Sequence, residues 1–318
     1  MKQFFRFLAT VLCAFLISLV PFYGVCSYVW LGLPAYYREG YHKGLVKQYR
    51  ALKRSDETQP KIVAIGDSSM AYGVDSAQLS SLTGMPCYTL GMHGGMGMAY
   101  IFELLEPFIH EGDLIVYPCN PYGAIYYGVD LILMSIEKEP DLYFDFVLRH
   151  PFLALSRLKD RCFVKCKGLA MNTPYETTDE FYGKDSFDEN GNFTVERGDG
   201  YWDYFEECEH IEYSPKIYGD TMILHLNAFD SLCKERGATL LLTSPAMYRG
   251  VVDNDEASIE AFEGWVRDTF TAPLISDWDE HFYEKEYFFN YVAHCNSAGM
   301  KRYTDSLAED INSYMEEK

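Results

Sequence analysis

The sequence predicts an α/β domain built as three layers, a parallel sheet covered by helices on both faces, joined to one N-terminal transmembrane helix and carrying a lid-like insertion. Three observations carry this. From Lys61 onward, short apolar runs bounded by Gly or Pro alternate with segments whose apolar residues recur every three or four positions. Residues Phe7 to Tyr37 contain no charge. A stretch of weak periodicity, about 121–234, interrupts the alternation after the third strand. The expected division is an anchor over 1–37, a basic juxtamembrane segment over 38–60, and one α/β domain over 61–318.

The uncharged N-terminal run is rich in Leu, Val, Phe and Ala and ends at a Leu33-Pro34 break. It exceeds the roughly 20 residues that cross a bilayer's hydrocarbon core. A cleaved signal peptide fits less well, because its apolar core is usually about 7 to 15 residues and no A-x-A site follows here. Lys2 and Arg6 suit a cytoplasmic N-terminus, although Arg38, Lys43, Lys47, Arg50, Lys53 and Arg54 place more positive charge on the far side. An amphipathic helix from Tyr41 to Lys53 lying on lipid headgroups accounts for those charges with the main domain outside the cytoplasm. The expectation is a single-pass protein of the cell membrane.

A hydrophobic fraction of 48% in 318 residues is ample for a packed core. The net charge of −20 argues against nucleic acid as a partner, since binding phosphates requires a basic surface. Of the nine cysteines, Cys13 and Cys26 lie in the apolar run and the remaining seven cannot all pair. Cys162-x3-Cys166 and Cys208 lack zinc spacing. Neither a metal nor any other cofactor is expected.

The elements follow in order. Ile62 to Ile65, between Pro60 and Gly66, is a β-branched run that reads as a buried strand. Asp75 caps a helix containing Ala77, Leu79 and Leu82. Cys87 to Leu90 is a second strand, followed by the glycine-rich turn GMHGGMG. Met98, Ile101, Leu104, Leu105 and Phe108 form one helical face, and DLIVYPCN from Asp113 is a third strand. Within the insertion, FDENGNFTV reads as a hairpin turning at Asn190-Gly191. DGYWDYFEECEHIEY is dense in aromatics and carboxylates that could stack on sugar faces or simply pack. An insertion at this place usually covers the ligand crevice of an open sheet, so it is read as a lid. The fourth strand is Ala238 to Ala246, after a helix C-capped by Gly237. Pro273 to Asp277 is a fifth strand, and Tyr303, Leu307 and Ile311 mark the last helix.

Gly-Asp-Ser alone is weak evidence, because strand-to-helix turns favour Gly and a helix N-terminus favours Ser. A serine nucleophile needs a base, a group that orients the base and donors for an oxyanion. His294 lies between the last strand and the last helix, at the same sheet edge as Ser68. Gly91 follows the second strand and Asn120 the third, so a backbone amide and a side-chain amide could converge on a carbonyl oxygen. Asp67 is expected to order its turn. His93 reads as a satisfied loop residue, and Cys119 and Cys295 as small buried apolar groups.

In order and spacing, IGDSSMAYGVD, LGMHGGMG, DLIVYPCN and FFNYVAHCNSAG resemble the four blocks of the SGNH (GDSL-like) hydrolase superfamily, in particular its membrane-anchored cell-envelope branch. The resemblance runs from Lys61 to about Ile311 and leaves the insertion unmatched. It implies the flavodoxin-like three-layer fold, Ser68 as nucleophile, His294 as base, and Gly91 and Asn120 as oxyanion donors. Two departures stand out. Asn290 takes the place of the Asp that usually orients the base, and Cys119 precedes Asn120 where Gly is usual. An Asn can hold an imidazole, as in Cys-His-Asn sites, but stabilises imidazolium less; Asp277 or Asp279 could substitute.

The expected activity is that of a serine esterase or O-acyltransferase acting on acyl esters, acetyl first, of a cell-envelope or extracellular carbohydrate. The expected partners are that acylated polymer and the lipid bilayer. The alternative is a weak or inactive relative that binds glycans or serves polymer assembly. A metal-dependent phosphoesterase site at Asp67 is a remote third reading, because no second acidic cluster marks the other strand ends.

Overall fold

Ile62–Gly66 forms β1, and all five residues are buried, which explains why the run shows no polar alternation. The computed structural model describes every residue except 38–39, 121–124, 174, 176–182, 199–207 and 209, and all side chains of the remainder but those of residues 15 and 184. β1 pairs in parallel with β2 (Cys87–Gly91) on one side and with β3 (Leu114–Pro118) on the other. β3 in turn pairs in parallel with β4 (Thr239–Thr243). The sheet order β2-β1-β3-β4 means that the chain leaves β1 toward one edge and then crosses to the opposite side. That reversal opens a crevice beyond the C-terminal ends of β1 and β3, where ligands sit in open α/β sheets.

Two short helices, α3 (Ser68–Gly73) and α4 (Ser76–Thr83), follow β1, the second capped by Asp75 as its sequence suggests. α5 (Met98–Leu105) joins β2 to β3, and α9 (Asp220–Glu235) leads into β4 through Gly237, whose φ of 75° is a left-handed conformation suited to glycine. α10 (Glu256–Thr269) precedes the fifth expected strand, which contributes only a bridge from Leu274 to Leu242. A separate two-stranded sheet joins β5 (Met247–Tyr248) to β6 (Phe282–Tyr283), and α11 (Ser297–Glu316) closes the chain against α3 and α4. The expected hairpin is present as an antiparallel bridge between Phe187 and Phe193, with Gly191 at φ 81°. Most of the aromatic and acidic stretch after it lies outside the described residues.

Two compact units result, Met1–Lys43 with Val129–Lys184, and Gly44–Gly128 with Asp185–Lys318. The chain passes from the first unit to the second at Lys43/Gly44, within the expected juxtamembrane segment 38–60. α2 (Gly44–Lys53) does not lie on headgroups: Leu45, Val46, Ala51 and Leu52 are buried, and the helix packs on β2. Its amphipathic stripe serves the core of the sheet domain.

The smaller unit begins with α1 (Lys2–Ser27), continued by a π-turn through Gly32. This helix is long and apolar enough to cross a membrane, with a mean hydropathy of 2.2 over an 18-residue window. The insertion is more regular than its sequence suggests: α6 (Val129–Ser135), α7 (Pro140–Arg149) and α8 (Pro151–Met171) belong to this unit. A buried ion pair, Lys165 with Glu137 at 2.7 Å, ties α8 to the chain leaving α6. The Glu137 carboxylate also accepts the amides of Tyr36 and Tyr37.

A second fully buried pair, Lys61 with Asp113 at 2.6 Å, locks the starts of β1 and β3 in the larger unit. Asp113 also accepts the backbone N–H groups of Lys61 and His110. Removing one member of such a pair strands the other charge. Asp113→Ala is expected to cost about 3 to 5 kcal/mol, read as a lower urea midpoint at unchanged slope.

His281 gives the larger unit a pH-dependent stability. It is fully buried, with Ser244 at Nδ1 and Ser306 at Nε2, and burial pulls its pKa down to about 4. An unfolded histidine protonates near pH 6.5, so between there and about 4 the unfolded chain holds a proton that the folded one does not. Stability from this group is complete above about 6.5 and falls as pH drops through that window. His281→Asn is expected to remove that loss, so the variant's urea midpoint should gain on the wild type's as pH falls through that interval, whatever slope the neighbouring Asp310, 3.6 Å from Nε2 and with its carboxyl pKa raised by burial, contributes to both; a constant difference between the two would show that other groups set the dependence.

Candidate active site

At the C-terminal end of β1 the chain turns sharply into α3, and Asp67 caps that helix by accepting the N–H and the hydroxyl of Ser69. Asp67 thus orders the turn, as expected. Ser68 opens the helix, half-buried, on the wall of a cavity of about 270 Å3 that is also lined by Asn120, Gly94, Tyr291 and His294.

The base arrives from the other end of the chain, on the loop before α11. His294 Nε2 lies 2.8 Å from Ser68 Oγ, and its Nδ1 lies 2.9 Å from Asn290 Oδ1. An amide oxygen can only accept, so Nδ1 carries the proton and Nε2 is left to accept from the serine hydroxyl. Asn290, and neither Asp277 nor Asp279, partners the imidazole. Those two aspartates border a different cavity, with Glu256, Glu260 and Glu263 of α10.

The ring of His294 is clamped. Tyr72 of α3 stacks on it at 4.2 Å between centroids and 4° between planes. Phe193 stacks on the far side of the cluster, 4.9 Å from Tyr72, and the buried Arg197 guanidinium sits 4.4 Å from the Phe193 ring and 5.3 Å from the Tyr72 ring. Arg197 is held by the Cys295 carbonyl. Enclosure by protein, then the charges of His93 and Arg197, hold the His294 pKa well below the ordinary imidazole range. The neutral base needed to accept a proton is therefore the resting form.

Gly91 is not brought to the cavity. Its N–H donates to Gln48 Oε1 at 3.0 Å, and a Cβ there would stand 2.5 Å from the Gly66 carbonyl oxygen. Glycine is required at that position for the close approach of β2 to β1, and its amide is already engaged. The cavity is lined instead by Gly94 and Gly95, three and four residues further along the same turn. The Gly95 amide donates to His93 Nδ1. Asn120 does reach the site. Its Nδ2 lies 3.1 Å from Asp67 Oδ2 and 3.1 Å from Ser69 Oγ, so Asp67 fixes the amide as well as the turn.

Cys119 and Cys295 are buried thiols whose pKa is pushed up by burial, the second to about 12. Neither is poised as a thiolate nucleophile at neutral pH. A larger cavity of about 380 Å3 lies between α5 and α9; its wall of Phe102, Phe229, Leu232, Tyr127, Glu103 and His225 carries no serine, threonine or cysteine.

Sequence reasoning missed Gly94, Tyr72, Phe193 and Arg197. The doubled glycine of His93-Gly94-Gly95 was the available signal for the first. Nothing local marked the other three, since their meaning depends on the fold bringing residues 72, 193, 197 and 294 together. Comparison with family models, with curated proteins and with solved structures finds no match to this chain.

Proposed function

We propose that this chain is a membrane-anchored SGNH-type serine esterase or O-acyltransferase, acting on acyl esters, acetyl first, of a cell-envelope or extracellular carbohydrate. The observation that carries the reading is the continuous relay from Ser68 Oγ through His294 to Asn290 at 2.8 and 2.9 Å. Ser68 Oγ attacks the ester carbonyl while its proton passes to His294 Nε2. The oxyanion takes hydrogen bonds from the Ser68 and Gly94 N–H groups and from the Asn120 side-chain amide, one N–H of which turns to it from Asp67 or Ser69. Collapse breaks the bond to the sugar oxygen, which leaves with the proton from Nε2, and an acyl-serine remains. Water or a second sugar hydroxyl then gives its proton to Nε2 and attacks, releasing the acid or a new ester. No metal enters this scheme.

The same reading takes α1 as a single span with the larger unit outside the cytoplasm, the four-stranded sheet as the middle of three layers, and the insertion, about 121–234, as a lid. Its test is acetate release from chemically acetylated glycans by the full chain in detergent, with transfer followed by adding an unacetylated acceptor. Release or transfer lost in Ser68→Ala supports it. Wild-type release equal to that of Ser68→Ala contradicts it. The alternative of a non-catalytic glycan-binding component is favoured by Asn290 alone, which stabilises an imidazolium less than a carboxylate does.

A further inference from the structure

The exposed apolar side chains of this protein are unevenly placed. Among the described residues of the larger unit, only Leu82, Tyr126 and Leu224 are large, apolar and exposed. In the smaller unit α1 exposes such residues along its length, and others stand on α7 and α8: Phe144, Leu148, Phe152, Phe163, Val164 and Met171. Leu148 is 76% and Phe152 68% exposed, at the corner where α7 turns into α8. These helices already bury a different face, through Tyr143, Phe146, Ala154 and Leu158. The exposed set is therefore an additional apolar face.

The corner is fixed beside α1. The Tyr23 hydroxyl donates to the Pro151 carbonyl, Ser27 Oγ and the Tyr143 hydroxyl are 3.1 Å apart, and further along both helices Lys165 Nζ donates to the Trp30 carbonyl at 3.1 Å. α8 thus begins at the level of Tyr23 and runs toward Trp30, so the corner points toward the apolar stretch of α1. The buried Lys165–Glu137 pair holds it in that attitude. Tyr23 and the exposed Tyr28, at the end of α1, are of a type enriched where a span meets the headgroups. Along α8, exposed Lys159 falls between Phe152 and Phe163, and exposed Lys167 follows a turn later. Aromatic residues interleaved with lysines on one helix face are the pattern of a segment lying in a membrane interface.

We infer that the α7–α8 corner, with Leu148 and Phe152 at its tip, is seated in the interfacial layer of the same bilayer that α1 crosses, as a second membrane contact. Continuity of its apolar face with that of α1 selects lipid as the occupant. The inference rests on α1 being a span, and the experiment separates the two. The full chain is reconstituted in phosphatidylcholine vesicles containing some phosphatidylglycerol, with a fluorescent amino acid replacing Ile17, Leu148, Phe152 or Leu224 one at a time. Lipids brominated near the headgroup or deep in the chain serve as quenchers.

Quenching at 148 and 152 several-fold above that at 224, strongest with shallow bromines, is the expected result, with 17 quenched by deep bromines. Position 224 is 68% exposed and matches Phe152 in exposure, so it reports the unbound level. If 17 is quenched while 148 and 152 match 224, the corner is not in the membrane. If 148 and 152 are shielded from aqueous iodide yet untouched by bromine, a protein surface or a second copy covers them, and the inference is overturned. Absence of quenching at 17 removes the span itself, and the inference with it. All four sites are exposed, so none of these replacements opens the core.

Discussion

Ser68→Ala is expected to lower ester turnover by about 10⁴- to 10⁶-fold, and His294→Ala to do the same. The two act as one unit: the hydroxyl is a weak nucleophile until Nε2, 2.8 Å away, takes its proton. The double variant should therefore fall to the same floor as either single one. Additive losses would mean that the pair does not work as nucleophile and base. Ser68→Ala should change the unfolding free energy by no more than a few tenths of a kcal/mol, about the effect of a surface substitution, since that side chain faces the cavity. Steady-state hydrolysis of an activated acetate ester, together with circular dichroism of each variant, checks both statements.

Asn290→Asp is expected to raise turnover by about 10- to 1000-fold, the reverse of the loss when an orienting aspartate becomes asparagine. The bond to Nδ1 is already in place at 2.9 Å, so the change adds charge without moving the ring. A carboxylate there favours the protonated imidazole, so the pKa of His294 rises and the acidic limb of the rate profile moves to higher pH. In the wild type that limb lies below the usual histidine range, because enclosure, His93 and Arg197 all disfavour the charged ring. A gain in rate near neutral pH combined with a loss at low pH is the signature. An acidic limb that stays in place would show that Asn290 does not govern the base.

The order of strands and helices was legible because buried parallel strands leave short β-branched runs between glycine and proline, as at Ile62–Gly66 and Leu114–Pro118. The Ser68–His294–Asn290 trio was legible for a related reason. Ser68 and His294 stand at ends of elements that such a sheet brings to one edge, and their bond at 2.8 Å joins residues 226 apart in the chain. Assignment of the glycine was not legible, because Gly91 and Gly94 stand three residues apart in one glycine-rich stretch. The amide of the first is engaged by Gln48, and the second lines the cavity. α8 was missed because Arg157, Lys159, Asp160 and Lys167 interrupt its apolar pattern, and because its apolar residues fall on two faces, one buried and one exposed. α2 was misplaced for the opposite reason: its clean amphipathic stripe says that it lies on something apolar, and not whether that is lipid or a sheet.

Covalent labelling of Ser68 tests the proposed nucleophile most directly. Treated with a fluorophosphonate, the full chain in detergent should gain one phosphonyl mass, the adduct should map to the Lys61–Tyr72 region, and Ser68→Ala should gain none. His294→Ala should label far more slowly. Labelling that persists at equal rate in Ser68→Ala would place the reactive hydroxyl elsewhere and contradict the site; a wild type that stays unlabelled while Asn290→Asp reacts would show a relay held in place without the charge it needs to work.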